Sequence, residues 1–121
     1  MDRIHIRDFT LRCIIGIYPE ERIHKQDVII NITLDTDLRA AGQSDDLADT
    51  VDYKSLKLEL LSFVENSQFQ LIEALADGIA AICLKSPKVQ SVTVSLDKPG
   101  ALRFCRSVAV EITRHRNACT S

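Results

Sequence analysis

The sequence predicts an α+β fold in the order ββααββ: a four-stranded antiparallel sheet with two helices on one face. Three observations lead there. Apolar residues alternate with a period of two in four segments, two towards each end of the chain. Between these pairs lie two segments whose apolar residues recur at three- and four-residue spacing, the pattern of amphipathic helices. The length of 121 residues accommodates one domain, spanning 1–121, and leaves no room for two ordinary ones.

The first strand is expected over residues 3–18, with a change of phase. Ile4 and Ile6 define one alternation; Phe9, Leu11, Cys13, Ile15 and Ile17 define another, displaced by one residue. A period of two cannot change phase without an extra residue, which predicts a bulge near Arg7–Asp8. The polar, proline-containing stretch YPEERIHKQ reads as a loop, and DVIINITLDTDL at 27–38, rich in β-branched residues, as the second strand. Residues 40–52, small and acidic with a glycine, read as a second loop. Asp52 is placed to cap a helix beginning at Tyr53, whose stripe is Tyr53, Leu56, Leu60, Phe63 and Val64.

After the interruption ENSQFQ, a second helix puts Ile72, Leu75, Ala76, Ile79, Ala80 and Cys83 on one face, with Pro87 marking its end. The third strand, VQSVTVSLD, alternates Val92, Val94 and Leu96; the fourth, RSVAVEITR, alternates Val108, Val110 and Ile112. The ordered core is expected over residues 2–114, followed by a polar, frayed tail at 115–121. Val28, Ile29 and Ile30 put apolar side chains on both faces of the second strand. A second apolar face and two open sheet edges need cover, which predicts a homo-oligomer.

Composition narrows the class. With 45% hydrophobic and 26% charged residues the balance is that of a globular domain, neither disordered nor fibrous. A net charge of −2, with Lys and Arg spread along the chain, argues against a nucleic-acid coat. The cysteines at 13, 83, 105 and 119 form no C-x-x-C pair, so no metal is expected; most sit in apolar segments, as small hydrophobes of a reducing compartment do. The N-terminus MDRIHIRDF has no apolar run, and no stretch is long enough to cross a membrane, so a cytoplasmic location is expected.

Several polar residues admit both a structural and a chemical reading. Glu73, in the first turn of the second helix, either answers the helix dipole or anchors a ligand through two parallel hydrogen bonds. Tyr53 either packs at a helix start or offers a stacking face and a proton-transferring hydroxyl. Glu20 and Glu21 suit a solvated loop. Lys98, just before Pro99-Gly100, suits edge protection, a solvated charge or a catalytic acid.

As a set, these residues carry a resemblance. The segments IGIYPEERIHKQDVIIN, SDDLADTVDYKSL, VENSQFQLIEALADGIA and VSLDKPGALRFCRSVAVEI resemble the dihydroneopterin aldolase and epimerase family of pterin enzymes. The motifs are Glu21 five residues before Gln26, Thr50-Val51 with Tyr53, Leu71-Ile72-Glu73, and Lys98-Pro99. The resemblance implies the tunnelling fold, ββααββ, whose subunits form four-membered rings with sheets closed into a barrel, often stacked as octamers. It implies a site between subunits, a pterin substrate and no cofactor. Glu73 would take the ring amide hydrogen and exocyclic amine, with backbone groups at Ile72 completing the grip. Tyr53 would lie against the pterin, with Val51 in the same wall. Lys98 would be the catalytic lysine, and Glu21 would position the reacting end and its water.

The implied reaction is retro-aldol cleavage of dihydroneopterin; the alternative is epimerisation of its triphosphate, and a third reading is an idle binding or assembly subunit. KPGA and LIEALADGIA look like the aldolases, while KQDVIIN, VENSQF and ALRF followed by SV look like the epimerases. Ile15-Gly16 stands where many aldolases have His-Gly. Arg103 and Arg106, with Arg22, His24 and Lys25, either meet a triphosphate or form a solvated rim.

Overall fold

Four strands pair in chain order, antiparallel throughout, in a computed structural model that describes residues 1–116. The strands are β1 (Asp2–Cys13), β2 (Gln26–Thr36), β3 (Ser91–Pro99) and β4 (Ser107–His115). Between β2 and β3 run a short helix α1 (Arg39–Ser44) and the two main helices, α2 (Tyr53–Glu65) and α3 (Ile72–Cys83). Single 3₁₀ turns occupy Pro19–Arg22 and Leu47–Asp49.

The phase break in β1 lies where the alternation places it. Pairing with β2 shifts between Ile6 and Phe9, and Asp8 takes a left-handed φ of 54°. The Asp8 amide, released from the ladder, donates to Asn31 Oδ1 at 2.9 Å. Because of this one insertion, Ile4, Ile6, Phe9 and Leu11 oppose Leu34, Ile32, Ile30 and Val28 and share their face. Val92, Val94 and Leu96 extend that face across β3. Above it sit the stripes of α2 and α3, with Leu60, Val64, Leu75, Ala76, Ile79, Ala80 and Cys83 buried. The helices come close at Gly78, where an added Cβ would stand 2.5 Å from the Phe63 ring.

The opposite face departs from expectation: it is polar. Arg3, Asp35, Ser91 and His115 form one row across the four strands, and His5, Thr33, Thr93 and Thr113 form the next. The second row is hydrogen-bonded side chain to side chain, His5 to Thr33 at 3.0 Å and Thr93 to Thr113 at 2.9 Å. Ile29, half-buried, is the one large apolar side chain in a row with Thr10, Asp97 and Ala109. The reason lies in both strands: the bulge keeps the apolar positions of β1 on the helix side, and β2 follows Ile29 on the far side with Asn31, Thr33 and Asp35, so it carries one apolar residue there rather than a second stripe.

Other boundaries move for identifiable reasons. The first strand ends at Cys13 because Gly16, at φ 128°, turns the chain; Ile15 remains buried and Ile17 reaches the surface. Part of the second expected loop is helical: α1 ends at Asp45 in the left-handed region, and Asp46 caps the next turn by accepting from the Ala48 amide at 3.0 Å. The end of β4 is anchored rather than frayed. The Arg116 amide donates to Gln90 O, and its guanidinium donates to the carbonyls of Val89, Leu84 and Ser86. Cys119 and the tail over 117–121 lie outside the described residues.

Asp52 caps α2 as expected, its carboxylate accepting from the Ser55 amide at 3.2 Å and the Ser55 hydroxyl at 2.9 Å. Asp52→Ala is expected to cost about 1 kcal/mol of stability, the ordinary worth of such a cap. Urea unfolding with an unchanged midpoint would show that the cap contributes nothing here.

Candidate functional site

A cleft of about 530 Å³ opens where the β1–β2 loop, the start of α3 and the end of β3 meet. Its lining includes Gly16, Tyr18, Glu21, Ile72, Glu73, Lys98, Leu102, Val108 and Val110. Three of the expected site residues with ionisable side chains, Glu21, Glu73 and Lys98, therefore share one cleft in a single chain, together with Ile72.

Lys98 is placed by strand periodicity. It follows Val92, Val94 and Leu96 on the helix-facing side of β3, pairing across to Val108. Since β3 is hydrogen-bonded on both sides, by β2 and by β4, the edge-protection reading of Lys98 is excluded. Its side chain is only 13% exposed, and its Nζ donates to Glu21 Oε2 at 2.6 Å. A charge so enclosed needs a partner, and the loop carboxylate supplies it.

Glu21 is held on every side. Its Oε1 accepts from the Tyr18 amide at 3.2 Å, and its Oε2 from Gln26 Nε2 at 3.2 Å as well as from Lys98. Gln26 is fixed in turn by donating to Ile15 O at 2.8 Å. Gly16 makes room: a Cβ there would fall 2.2 Å from Glu21 Cδ, and its φ of 128° already disfavours any side chain. The Lys98 hydrogen bond holds the Glu21 carboxyl below its ordinary value of 4.5, against the opposing effect of burial.

Glu73 contrasts with this pair. It lies in the first turn of α3, exposed to the cleft, and forms no ion pair among the described residues. Ile72, 8% exposed, opens the helix, so unpaired first-turn amides lie beside the carboxylate. An uncommitted acceptor beside free amide donors can grip a planar heterocycle with alternating donors and acceptors on one edge.

Two expected residues are not in this cleft. Tyr53, 54% exposed, lines a separate depression with Ile6, Arg7, Asp8, Phe9, Thr10, Lys54 and Lys57. Val51 is 3% exposed and belongs to the core beneath the start of α2. Among the cations weighed for phosphate, Arg22 is already spent on three backbone carbonyls, Gly16, Phe69 and Gln68. Arg103 lies over the Phe104 ring at 5.5 Å. The parts that sequence reasoning missed are the Gly16 clearance and the Tyr18 amide. The glycine in Ile15-Gly16-Ile17 was the available signal. Among the described residues, no group of three or more metal-ligating side chains is positioned to hold an ion.

The lowered Glu21 value carries a sign. The folded state binds this proton less tightly than the unfolded chain does, so the contact stabilises above pH 4.5. That stability is lost as pH falls from 4.5 through the lower folded-state value. Glu21→Gln is accordingly expected to lose stability less steeply than the parent below pH 4.5. Parallel slopes in acid urea titrations would contradict it.

Comparison with known proteins agrees with this fold. Residues 4–113 match the FolB dihydroneopterin aldolase family. The chain is 41% identical over 114 residues to the folic acid synthesis protein FOL1 of Dictyostelium discoideum, covering 94% of this chain but only 17% of that protein. It is 35% identical to the dihydroneopterin triphosphate 2'-epimerase of Pseudomonas aeruginosa, over 96% of this chain and 94% of that one. The crystal structure of E. coli dihydroneopterin aldolase in complex with neopterin superposes with a TM-score of 0.90 at 32% identity, over 94% of this chain and 99% of that chain. By its match along nearly the whole sequence and by its fold, this chain belongs to the FolB dihydroneopterin aldolase family.

Proposed function

We propose that this chain cleaves 7,8-dihydroneopterin by a retro-aldol reaction, giving 6-hydroxymethyl-7,8-dihydropterin and glycolaldehyde, as a step of folate biosynthesis. The observation that carries this reading is one cleft holding an uncommitted carboxylate at a helix start and an enclosed lysine–carboxylate pair. A heterocycle edge and a reacting side chain need those two different environments.

In this reading Glu73 receives the ring amide hydrogen and exocyclic amine, and the amides at Ile72 meet the adjacent acceptors. The cleavage leaves an electron pair on carbon, which the ring imine of the substrate itself accepts. The reaction then asks the protein for a base at the side-chain hydroxyl and an acid near the ring nitrogen. Lys98 and Tyr53 divide those duties, and Glu21 orients the lysine and the departing end. Neither a Schiff base nor a metal enters, because the substrate supplies the electron sink.

Tyr53 reaches the cleft from a neighbouring copy. Its exposed ring sits beside β1, at one open edge of the sheet, whereas the cleft lies towards β4, at the other. Pairing β1 of one copy with β4 of the next brings the two surfaces together and closes a ring, a tetramer or a stacked octamer. Val51, in the core two residues before Tyr53, would belong to the same wall of the shared pocket. The buried free thiols of Cys13 and Cys83 suit a reducing cytoplasm.

The epimerase similarity favours a second reading, inversion at the second side-chain carbon of the triphosphate, with the same acid–base groups. Supplying dihydroneopterin and its triphosphate separately decides between them. Hydroxymethyl-dihydropterin from the first supports the aldolase; epimerised triphosphate with negligible cleavage supports the alternative. Pterin binding without turnover of either would leave only a binding or assembly role. Sedimentation showing a monomer at micromolar concentration would remove the shared site. Glu73→Gln is expected to weaken pterin binding by roughly 1.5–3 kcal/mol, the worth of a hydrogen bond to a charged group. Lys98→Ala should retain measurable binding and lose about a hundredfold in turnover. Unchanged turnover in that variant would sink the role of the lysine.

A further inference from the structure

We propose that Arg22 is a positioning residue, which sets the spacing between the Glu21–Lys98 pair and Glu73 without touching the substrate; the proposal rests on the reading of the cleft given above. The guanidinium spans two segments far apart in the chain. Its NH1 donates to Gly16 O at 2.9 Å and to Phe69 O at 3.1 Å, and its NH2 donates to Gln68 O at 2.6 Å. Beside it the Gly16 amide donates to Phe69 O at 3.3 Å, a single backbone bond between the same segments.

Each segment carries one half of the cleft. Arg22 follows Glu21 directly, and Gly16, whose carbonyl it takes, is the residue against which the Glu21 carboxylate packs. Gln68 and Phe69 lead through Gln70 and Leu71 into Ile72 and Glu73. Neither segment is braced by a sheet or helix ladder where the guanidinium meets it. Three carbonyls in fixed directions match the planar fork of an arginine and not the single point of a lysine ammonium. Arg22 is half-buried, and its bonds to the Gly16 and Phe69 carbonyls are partly shielded from competing water, while that to Gln68 is exposed.

A shift of one segment against the other would leave Glu73 able to hold a ring but would displace the reacting end from Lys98. The expected signature is therefore a split between binding and turnover. In Arg22→Ala, kcat should fall about tenfold to a hundredfold while neopterin affinity changes by no more than about threefold. Arg22→Lys should behave similarly, and millimolar guanidinium ion should restore part of the Arg22→Ala turnover. Amide hydrogen exchange should speed up at both 14–25 and 66–71 in Arg22→Ala.

Full activity of Arg22→Lys, parental kcat in a folded Arg22→Ala, or a loss with no guanidinium rescue and no change in exchange would each overturn the proposal. A parent chain inactive on dihydroneopterin and its triphosphate would instead defeat the functional reading. The exchange measurement would still show whether Arg22 ties the two segments, and parental exchange in both would refute the tie itself.

Discussion

Burial of one sheet face beneath α2 and α3 constrains where every charged group of this domain can lie. Period-two geometry sends Val28, Ile30, Ile32 and Leu34, with Val92, Val94 and Leu96, to the covered side, and the chain supplies aliphatic residues at all of them. Lys98 has the same parity, and at this end of β3 the β1–β2 loop brings Glu21 against it. The lysine is thus brought to the core side of a central strand but at its open end, where a charge can be both enclosed and paired. Desolvating two charges together is tolerable only when their hydrogen bonds are met. The loop meets them for the carboxylate with the Tyr18 amide and Gln26.

This arrangement gives the cleft two ends of different character. At one end the carboxylate–ammonium pair is enclosed, its carboxylate bonded also to the Tyr18 amide and to Gln26. At the other, Glu73 and the first amides of α3 are left open to the cleft. The fold separates the two by chain segment: loop and strand carry the paired charges, and the helix start carries the unpaired carboxylate. Tyr53 lies on neither end of the cleft but in a separate depression beside β1.

The polar second face bears on the same point. Rows of Thr, Asp, Ser, His and Arg across all four strands need no hydrophobic cover. The edges at β1 and β4 stay open, their backbone groups lacking a ladder on one side. The case for association therefore moves from apolar burial to strand pairing. In a closed arrangement the polar face would look inward on water and the helices outward.

From the sequence alone came the features carried by a sustained periodicity: the four strands and the two main helices. The bulge at Arg7–Asp8 was visible because a phase change has one physical cause, and the Asp52 cap because α2 begins where its apolar stripe begins. Short helices such as α1 were not visible: six residues show less than two turns of pattern, and a left-handed Asp45 leaves no signature. Candidate chemistry was legible as residue types and motifs, and as nothing more until position was known. Only the tertiary structure decided that Lys98 faces Glu21 rather than solvent, that Arg22 binds carbonyls rather than standing free, and that Tyr53 and Val51 lie outside the cleft. Those facts depend on which segments meet in space, and distances between residues 77 apart in the chain are set by packing, not by spacing.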